Sequence, residues 1–187
     1  GTCASFAISR LKVRFGEMVS NLALLTYLIP AAFLAVPMYK TMAVYGLLNN
    51  RWSLILAMVT IASPYCIWVL KQASDKLPLE LDEAARMDGA TVWGEFNHVI
   101  RPLAMGTLAS TALLCLVLSW NEAFWSLNLS AAKAGTLATL IASYSSPEGL
   151  FWAKLSAASF MAIGPIVVFG WFSQKQLVRG LTFGAVK

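Results

Sequence analysis

Apolar residues fill four long runs of the chain, and the charged residues collect in the intervals between them. Met18 to Tyr39, Trp52 to Leu70, Pro102 to Asn121 and Leu155 to Gln174 contain no Asp, Glu, Lys or Arg. A helix needs roughly 20 apolar residues to cross a hydrocarbon core about 30 Å thick. Inside lipid the backbone must satisfy its own hydrogen bonds, which excludes open strands. The pattern therefore predicts an all-α, polytopic membrane protein with four full transmembrane helices. The opening stretch, "GTCASFAIS", is also apolar but too short to span. It has neither an initiator Met nor a basic leader segment, so it is not a normal signal peptide. It reads as the end of an earlier transmembrane helix, with a short re-entrant or interfacial segment as the alternative.

Composition agrees with the pattern. The chain is 58% hydrophobic and only 12% charged, with a mean hydropathy of +0.67. A soluble domain carries about 25% charged residues, and lipid-facing helices cannot carry many. Pro30 and Pro37 fall in the first run, Pro64 in the second and Pro165 in the fourth. Each removes a backbone hydrogen bond and favours a kink. Such helices either line a pathway or carry the packing kinks that membrane helices tolerate. "GTLASTALL" in the third run and "LSAAS" in the fourth offer small residues over which another helix can approach closely.

Charge adds orientation. Ten of the fourteen basic residues fall on one side if the spans alternate: Arg10, Lys12, Arg14, Lys71, Lys76, Arg86, Arg101, Lys175, Arg179 and Lys187. Lys40, Arg51, Lys133 and Lys154 fall on the other. The positive-inside rule then places the opening segment and the C-terminus in the cytoplasm. The net charge of +5 is thereby a topology signal that requires no nucleic acid. Cys3, Cys66 and Cys115 show no paired spacing, and His98 is the only histidine. The cysteines read as small apolar residues, and the residues suggest no metal site.

On the outer side, "AVYGLLNNRW" makes a short turn through Asn49 and Asn50, with Trp52 suited to the membrane interface. The longer outer segment, 122–154, has an uncharged portion from Ala134 to Pro147 that is too short to span. It reads as interfacial or re-entrant, and "SSPEG" closes it with turn chemistry.

The polar interval 77–101 is the most informative. Pro78 suits the first turn of a helix, and Leu77, Leu81, Ala84 and Ala85 then share a face at helical spacing. Asp82 and Arg86 are four apart and can pair. Gly89, directly after Asp88, can take the left-handed conformation that ends a helix. Thr91 can cap a second helix, whose apolar face is Val92, Phe96, Val99 and Ile100, before Pro102 leads into the third span. The expected unit is a cytoplasmic helix-turn-helix with its apolar stripe on the protein's own membrane helices and its other face free for a partner.

"EAARMDGATVWGEFNHVIRP" resembles the EAA loop of permease subunits of binding-protein-dependent ABC importers, at Glu83, Ala84, Ala85, Gly89 and Pro102. Val99 stands where that family often has Ile, and Arg101 where it often has Leu. The resemblance continues in "LSWNEAFW" and "QKQLVRGLTFGAVK" and covers essentially the whole chain. It is strongest to the maltose-permease-like carbohydrate-uptake group. "SWNEAFWSLNL" and "SSPEGLFWAKLSAAS" look most like sorbitol/mannitol permeases. The resemblance implies a single permease domain over 1–187, holding the end of the second and all of the third to sixth spans of a six-span relative. It implies a bacterial cytoplasmic (inner) membrane location.

The resemblance also assigns roles. Glu83, Ala84, Ala85, Asp88, Gly89 and Pro102 would couple the chain to a cytoplasmic ATPase subunit. Glu83 would offer its carboxylate to a basic group, Ala84 and Ala85 would allow close approach, and Gly89 would make the turn. The tail, Gly180 to Lys187, would also reach the ATPase dimer. Partners would be ATPase subunits, a second permease and a periplasmic or lipid-anchored solute-binding protein that meets the outer segment. ATP and Mg would sit on the ATPase, with no cofactor on this chain. Trp120, Asn121, Glu122 and Trp125 are candidates for contact with a sugar or polyol or with an outer partner. Their alternatives are interfacial anchoring and helix capping.

Other classes fit less well. The chain has no GxxxxGK[ST] phosphate loop, no HExxH and no GxSxG, so no catalytic residue is expected. An ion-coupled secondary transporter would also use kinked helices, but the four runs carry no ionisable pair. A membrane scaffold would have no need of a glycine-broken hairpin.

Overall fold

The computed structural model describes residues 1–11, 13–130, 133–146 and 149–181. Lys12, Ala131, Ala132, Pro147, Glu148 and the residues beyond Leu181 lie outside them, and with them part of the expected "SSPEG" turn and most of the tail Gly180 to Lys187. The described chain is almost wholly helical. Its eleven helices are α1 (Thr2–Arg10), α2 (Gly16–Tyr27), α3 (Ala31–Val44), α4 (Arg51–Asp75), α5 (Glu80–Met87), α6 (Val92–Glu95), α7 (Arg101–Leu103), α8 (Met105–Trp120), α9 (Phe124–Leu129), α10 (Leu137–Ser143) and α11 (Trp152–Leu181). A π-helical turn, Phe96–Ile100, joins α6 to α7. Two-residue strands, β1 (Ser145–Ser146) and β2 (Gly149–Leu150), form one antiparallel ladder.

Two of the expected spans are continuous helices. α4 runs 25 residues through Pro64, and Trp152–Gln174 of α11 runs 23 residues through Pro165. At about 1.5 Å per residue each exceeds a hydrocarbon core of about 30 Å. The other two are broken, so the described residues hold two unbroken candidate spans, or four if each broken pair is one span. The first run divides into α2 and α3 at Pro30, which caps α3 in extended geometry (φ −59°, ψ 134°). Proline pushes the residue before it out of helical space. The third run does not begin at Pro102 as expected. Pro102 lies inside a helical stretch from Val92 to Leu103, and the chain bends by 75° before Met105. Proline supplies no N–H, and its ring crowds the preceding turn. Here the wider π-turn lies directly before it, with the Arg101 N–H donating to the Phe96 carbonyl.

The chain comprises two compact units. Among the described residues, the first falls within 1–28, 63–112 and 173–181. Its buried cluster is Phe6, Phe96 and Ile100, with Leu77 and Val99 packed against it. The Phe6 and Phe96 rings lie 5.1 Å apart, so α1 packs directly on the polar interval's second helix. The apolar face expected there is realised by Phe96, Val99 and Ile100. Val92 departs from it and is exposed.

The second unit consists of residues 29–62 and 113–172. Its core is Met42, Ala57, Trp125 and Leu129. The expected Asn turn is present. Asn49 has φ 55° and its N–H donates to the Leu129 carbonyl at 2.9 Å, while the Asn50 Oδ1 accepts from the Trp52 N–H at 3.1 Å. The Trp120 indole N–H donates to the Ala162 carbonyl (3.2 Å), tying α8 to α11 just before Pro165. Along α11, Phe160, Met161, Trp171 and Phe172 are largely exposed, as lipid-facing or subunit-facing residues would be.

Candidate functional site

The polar interval folds into α5, a glycine turn and α6. α5 begins at Glu80 with Leu79 as its cap, two residues later than a proline-led start would give, so Pro78 stands outside the helix. Glu80, Asp82 and Glu83 fill its first turn and Arg86 its last, the order that complements the helix dipole. The helix ends on a Schellman motif. The Ala90 N–H donates to the Ala85 carbonyl (2.9 Å) and the Gly89 N–H to the Arg86 carbonyl (3.0 Å). The geometry requires a left-handed residue after the cap, and Gly89 supplies it with φ +80°. Thr91 then caps α6, its hydroxyl accepting from the Gly94 N–H at 3.1 Å.

The expected Asp82–Arg86 pair does not form. Asp82 is 4% exposed and takes the guanidinium of Arg10 at 2.9 Å. Arg86 turns to Glu95, with Nε at 2.8 Å from one carboxylate oxygen and Nη2 at 3.1 Å from the other. An exposed pair one turn apart stabilises a helix by only about 0.3–0.5 kcal/mol. A two-pronged contact to a carboxylate as fully buried as Glu95 is stronger and geometrically fixed. Burial pushes the Asp82 carboxyl above its ordinary value, against the opposing pull of Arg10, and the Glu95 charge adds to the rise.

Arg10 also caps the end of α4. Its Nε donates to the Ser74 hydroxyl (3.2 Å) and its Nη2 to the carbonyls of Leu77 (2.9 Å) and Ser74. Carbonyls at a helix C-terminus have no partner within the helix, and a cation satisfies them. Nearby, Lys71 bridges Glu17 (3.0 Å) and Asp75 (2.7 Å), and the Ser9 hydroxyl donates to Asp75.

These elements enclose an open recess of about 630 Å³ lined by Arg10, Leu79, Asp82, Glu83, Arg86 and Glu95, among others. Glu83 and Ala84 are exposed, Ala85 is half-buried, and Asp88, Gly89 and Pro102 are exposed. Met87 and Trp93, 88% and 63% exposed, flank the turn. The arrangement is an acidic rim with apolar residues beside it, above the buried Arg10–Asp82 pair. Sequence reasoning passed over Arg10, Glu95 and Lys71 as parts of this site. Arg10 and Asp82 are 72 positions apart, and no local pattern links them.

In the second unit the remaining candidates separate. Trp125 is 1% exposed and belongs to the core. Glu122 stands just before Ala123, the cap of α9, and its carboxylate accepts from the Trp125 N–H in the first turn, while its carbonyl accepts from the Thr136 hydroxyl at 2.5 Å. Trp120 and Asn121 line a recess of about 180 Å³ with Leu137, Ile141 and Ile163.

A family model described as the binding-protein-dependent transport system inner membrane component matches residues 1–180. The chain belongs to this family. Among these inner membrane transport components it is 32% identical to the trehalose transport system permease protein SugB of Mycobacterium tuberculosis, over 100% of this chain and 69% of that one. It is 34% identical to the inner membrane ABC transporter permease protein YcjP of Escherichia coli, over 100% of this chain and 67% of that one. The lactose transport system permease protein LacG of Rhizobium radiobacter is 29% identical, over 98% of this chain and 67% of that one. The fold resembles a chain of the MetNI methionine ABC transporter in an inward-facing conformation, with a TM-score of 0.75 over 95% of this chain and 84% of that one. At 18% identity that likeness concerns the fold alone.

Proposed function

We propose that the chain is the translocating subunit of an ATP-driven importer of a sugar or polyol, coupled to a separate ATPase through α5. The observation that carries the coupling is the exposed acid and apolar rim, Glu83, Met87 and Trp93, on a helix-turn-helix fixed to the membrane helices behind it. The sugar assignment draws on the names of the trehalose and lactose relatives. Within it, sorbitol or mannitol follows from the resemblance of "SWNEAFWSLNL". A solute-binding protein delivers the substrate to the outer segment. ATP and Mg on the partner ATPases draw them together, and α5, docked in the ATPase through Glu83, Ala84, Ala85, Asp88 and the Gly89 turn, follows. The spans then rock between inward- and outward-facing states. ATP shifts that equilibrium only by its differential affinity for the two. The chain is multi-pass in the inner membrane with its C-terminus cytoplasmic, beside a second permease. Trp120 offers a ring face and Asn121 an amide to a polyol passing the small recess between them and Ile163.

The test is a gentle-detergent purification of the tagged full-length permease from its native membrane, with uptake assays on the intact cells. An ATPase, a second permease and a binding protein are expected to copurify. Glu83→Lys is expected to abolish uptake while the protein remains in the membrane at normal abundance. Normal uptake by a well-expressed Glu83→Lys protein, or recovery of the permease alone from preparations in which a control importer stays intact, would overturn the assignment.

A further inference from the structure

We propose that Arg10 is a positioning residue that makes α1, the last turns of α4 and α5 move as one body, so that a displacement of α5 reaches the membrane helices instead of being absorbed between them. The inference rests on the coupling reading of α5. Its starting point is a mechanical weakness. α5 has only eight residues and is joined to α4 by the non-helical link Lys76–Leu79. Such a link bends when its far end is pushed.

Arg10 spans that link from the opposite side. Its guanidinium holds the hydroxyl and carbonyl of Ser74 before the link, the carbonyl of Leu77 within it and the carboxylate of Asp82 beyond it. A guanidinium presents its donors in a fixed plane. Bonding to all of these acceptors therefore fixes the angle between α4 and α5 as well as their separation. The pair is deeply buried, with side-chain exposures of 1% for Arg10 and 5% for Asp82, so salt screens it little. Water competing for Arg10 has little access to it.

Other contacts extend the body. Lys71 draws Glu17 at the start of α2 to Asp75 at the end of α4, and Ser9 on α1 reaches the same Asp75. Phe6 on α1 packs against Phe96 with the two rings tilted at 55°, and the Arg86–Glu95 fork ties α5 to the segment after the turn. Glu83 and Met87 make none of these contacts and are exposed, and Trp93, which stacks on Phe96 with ring centroids 5.2 Å apart, still leaves most of its ring exposed. Docking and force transmission thus use different residues of the same short segment.

The experiment measures the distance between spin labels on the native Cys3 of α1 and on Met87→Cys at the far end of α5, with all other cysteines of the full-length permease replaced by serine. Both label sites are exposed. In detergent, the protein with native Arg10 is expected to give one narrow distance distribution. In the copurified complex that distribution is expected to stay unchanged when Mg and a non-hydrolysable ATP analogue are added. Arg10→Ala is expected to broaden it without nucleotide and to shift its maximum when nucleotide is added. Arg10→Lys keeps the charge and loses the plane, and is expected to fall between. Asp82→Asn keeps an acceptor at the same place and serves as the milder variant if Arg10→Ala is not monodisperse. Narrow, nucleotide-independent distributions in all variants would overturn the proposal, as would a nucleotide-driven shift with Arg10 intact. Failure of any ATPase to copurify would overturn the coupling reading itself, while the nucleotide-free distances still decide whether Arg10 holds α5.

Discussion

Replacing Gly89 with Ala isolates the conformational demand of the turn from its packing. A Cβ built at Gly89 meets nothing within 4 Å, so no clash contributes. The whole effect must come from holding an L-residue at φ +80°. That conformation costs about 1–2 kcal/mol for a residue with a Cβ. The substitution also restricts the unfolded chain, which offsets about 0.4–1 kcal/mol of that cost. A net cost near 1 kcal/mol is therefore expected. The Ala90 N–H is bonded across the turn to the Ala85 carbonyl, and its hydrogen exchange reports opening of the motif. A loss of about 1 kcal/mol of local stability speeds that exchange about fivefold. Asn tolerates the left-handed region better than Ala does, so Gly89→Asn should exchange at a rate between the two. The assay is deuterium uptake of the peptide covering 84–96 in detergent. Amides elsewhere in the first unit, such as those of α1, serve as the unaffected reference. Equal protection in the Gly, Ala and Asn proteins would refute the left-handed assignment. An Asn protein worse than the Ala protein would point to side-chain packing at a position that shows open space.

The Asp82 carboxyl, raised above its ordinary value mainly by burial, gives a pH signature with a definite sign. The folded state holds the proton more tightly than the unfolded state. The stability this group contributes is therefore fully present below about pH 4, near the unfolded carboxylate value, and is lost as pH rises through the folded value. Asp82→Asn cannot titrate, so the melting temperature of the wild-type protein relative to this variant should fall between pH 4 and neutrality; a difference that rises or stays flat would sink the reading. Arg10, Arg86 and Glu95 are the charged groups acting on Asp82 and must be unchanged in both proteins. In the second unit, Trp125→Ala should cost about 3–5 kcal/mol, because the ring is almost wholly buried against Met42, Ala57 and Leu129. Thermal denaturation in detergent should show a large drop, and a melting temperature within error of wild type would remove Trp125 from the core.

Features with a local cause were legible in the sequence. The Gly89 turn and the Thr91 cap each depend on residues within a few positions, and both occur as their residue types dictate. Two of the four apolar runs likewise locate unbroken helices long enough to span, because a hydrocarbon core demands a charge-free run of about 20 residues and a water-exposed helix does not; the other two are broken, by 99° between α2 and α3 and by 75° before α8. The prolines were less legible. Pro64 and Pro165 lie inside unbroken helices, while Pro30 ends one helix and starts another. All three lack the same N–H. What differs is whether neighbouring groups accommodate the turn, and that information is distant in sequence. The buried position of Trp125 has the same origin. An outer Trp after an apolar run suits an interface or a core equally, and only contact with α3 and α4 decides for the core.

Charge shows most clearly what a local reading loses. Arg10 serves the positive-inside pattern by its position alone, and that use requires only that it lie outside the bilayer. The fold places it 6% exposed among helix-end carbonyls and a carboxylate, where its value comes from geometry. Burying a guanidinium costs several kcal/mol of hydration unless its donors are met. Every contact that meets them here comes from α4, the link after it, or α5. An apolar residue of similar size could fill the space as well or better for stability, but it would not fix the direction of α5. A charged residue that only set topology would stay hydrated at the surface, as Arg14 does. The difference between these neighbouring arginines is therefore a difference of burial and partners. It becomes readable only when the helix they border is brought against a segment more than sixty residues away.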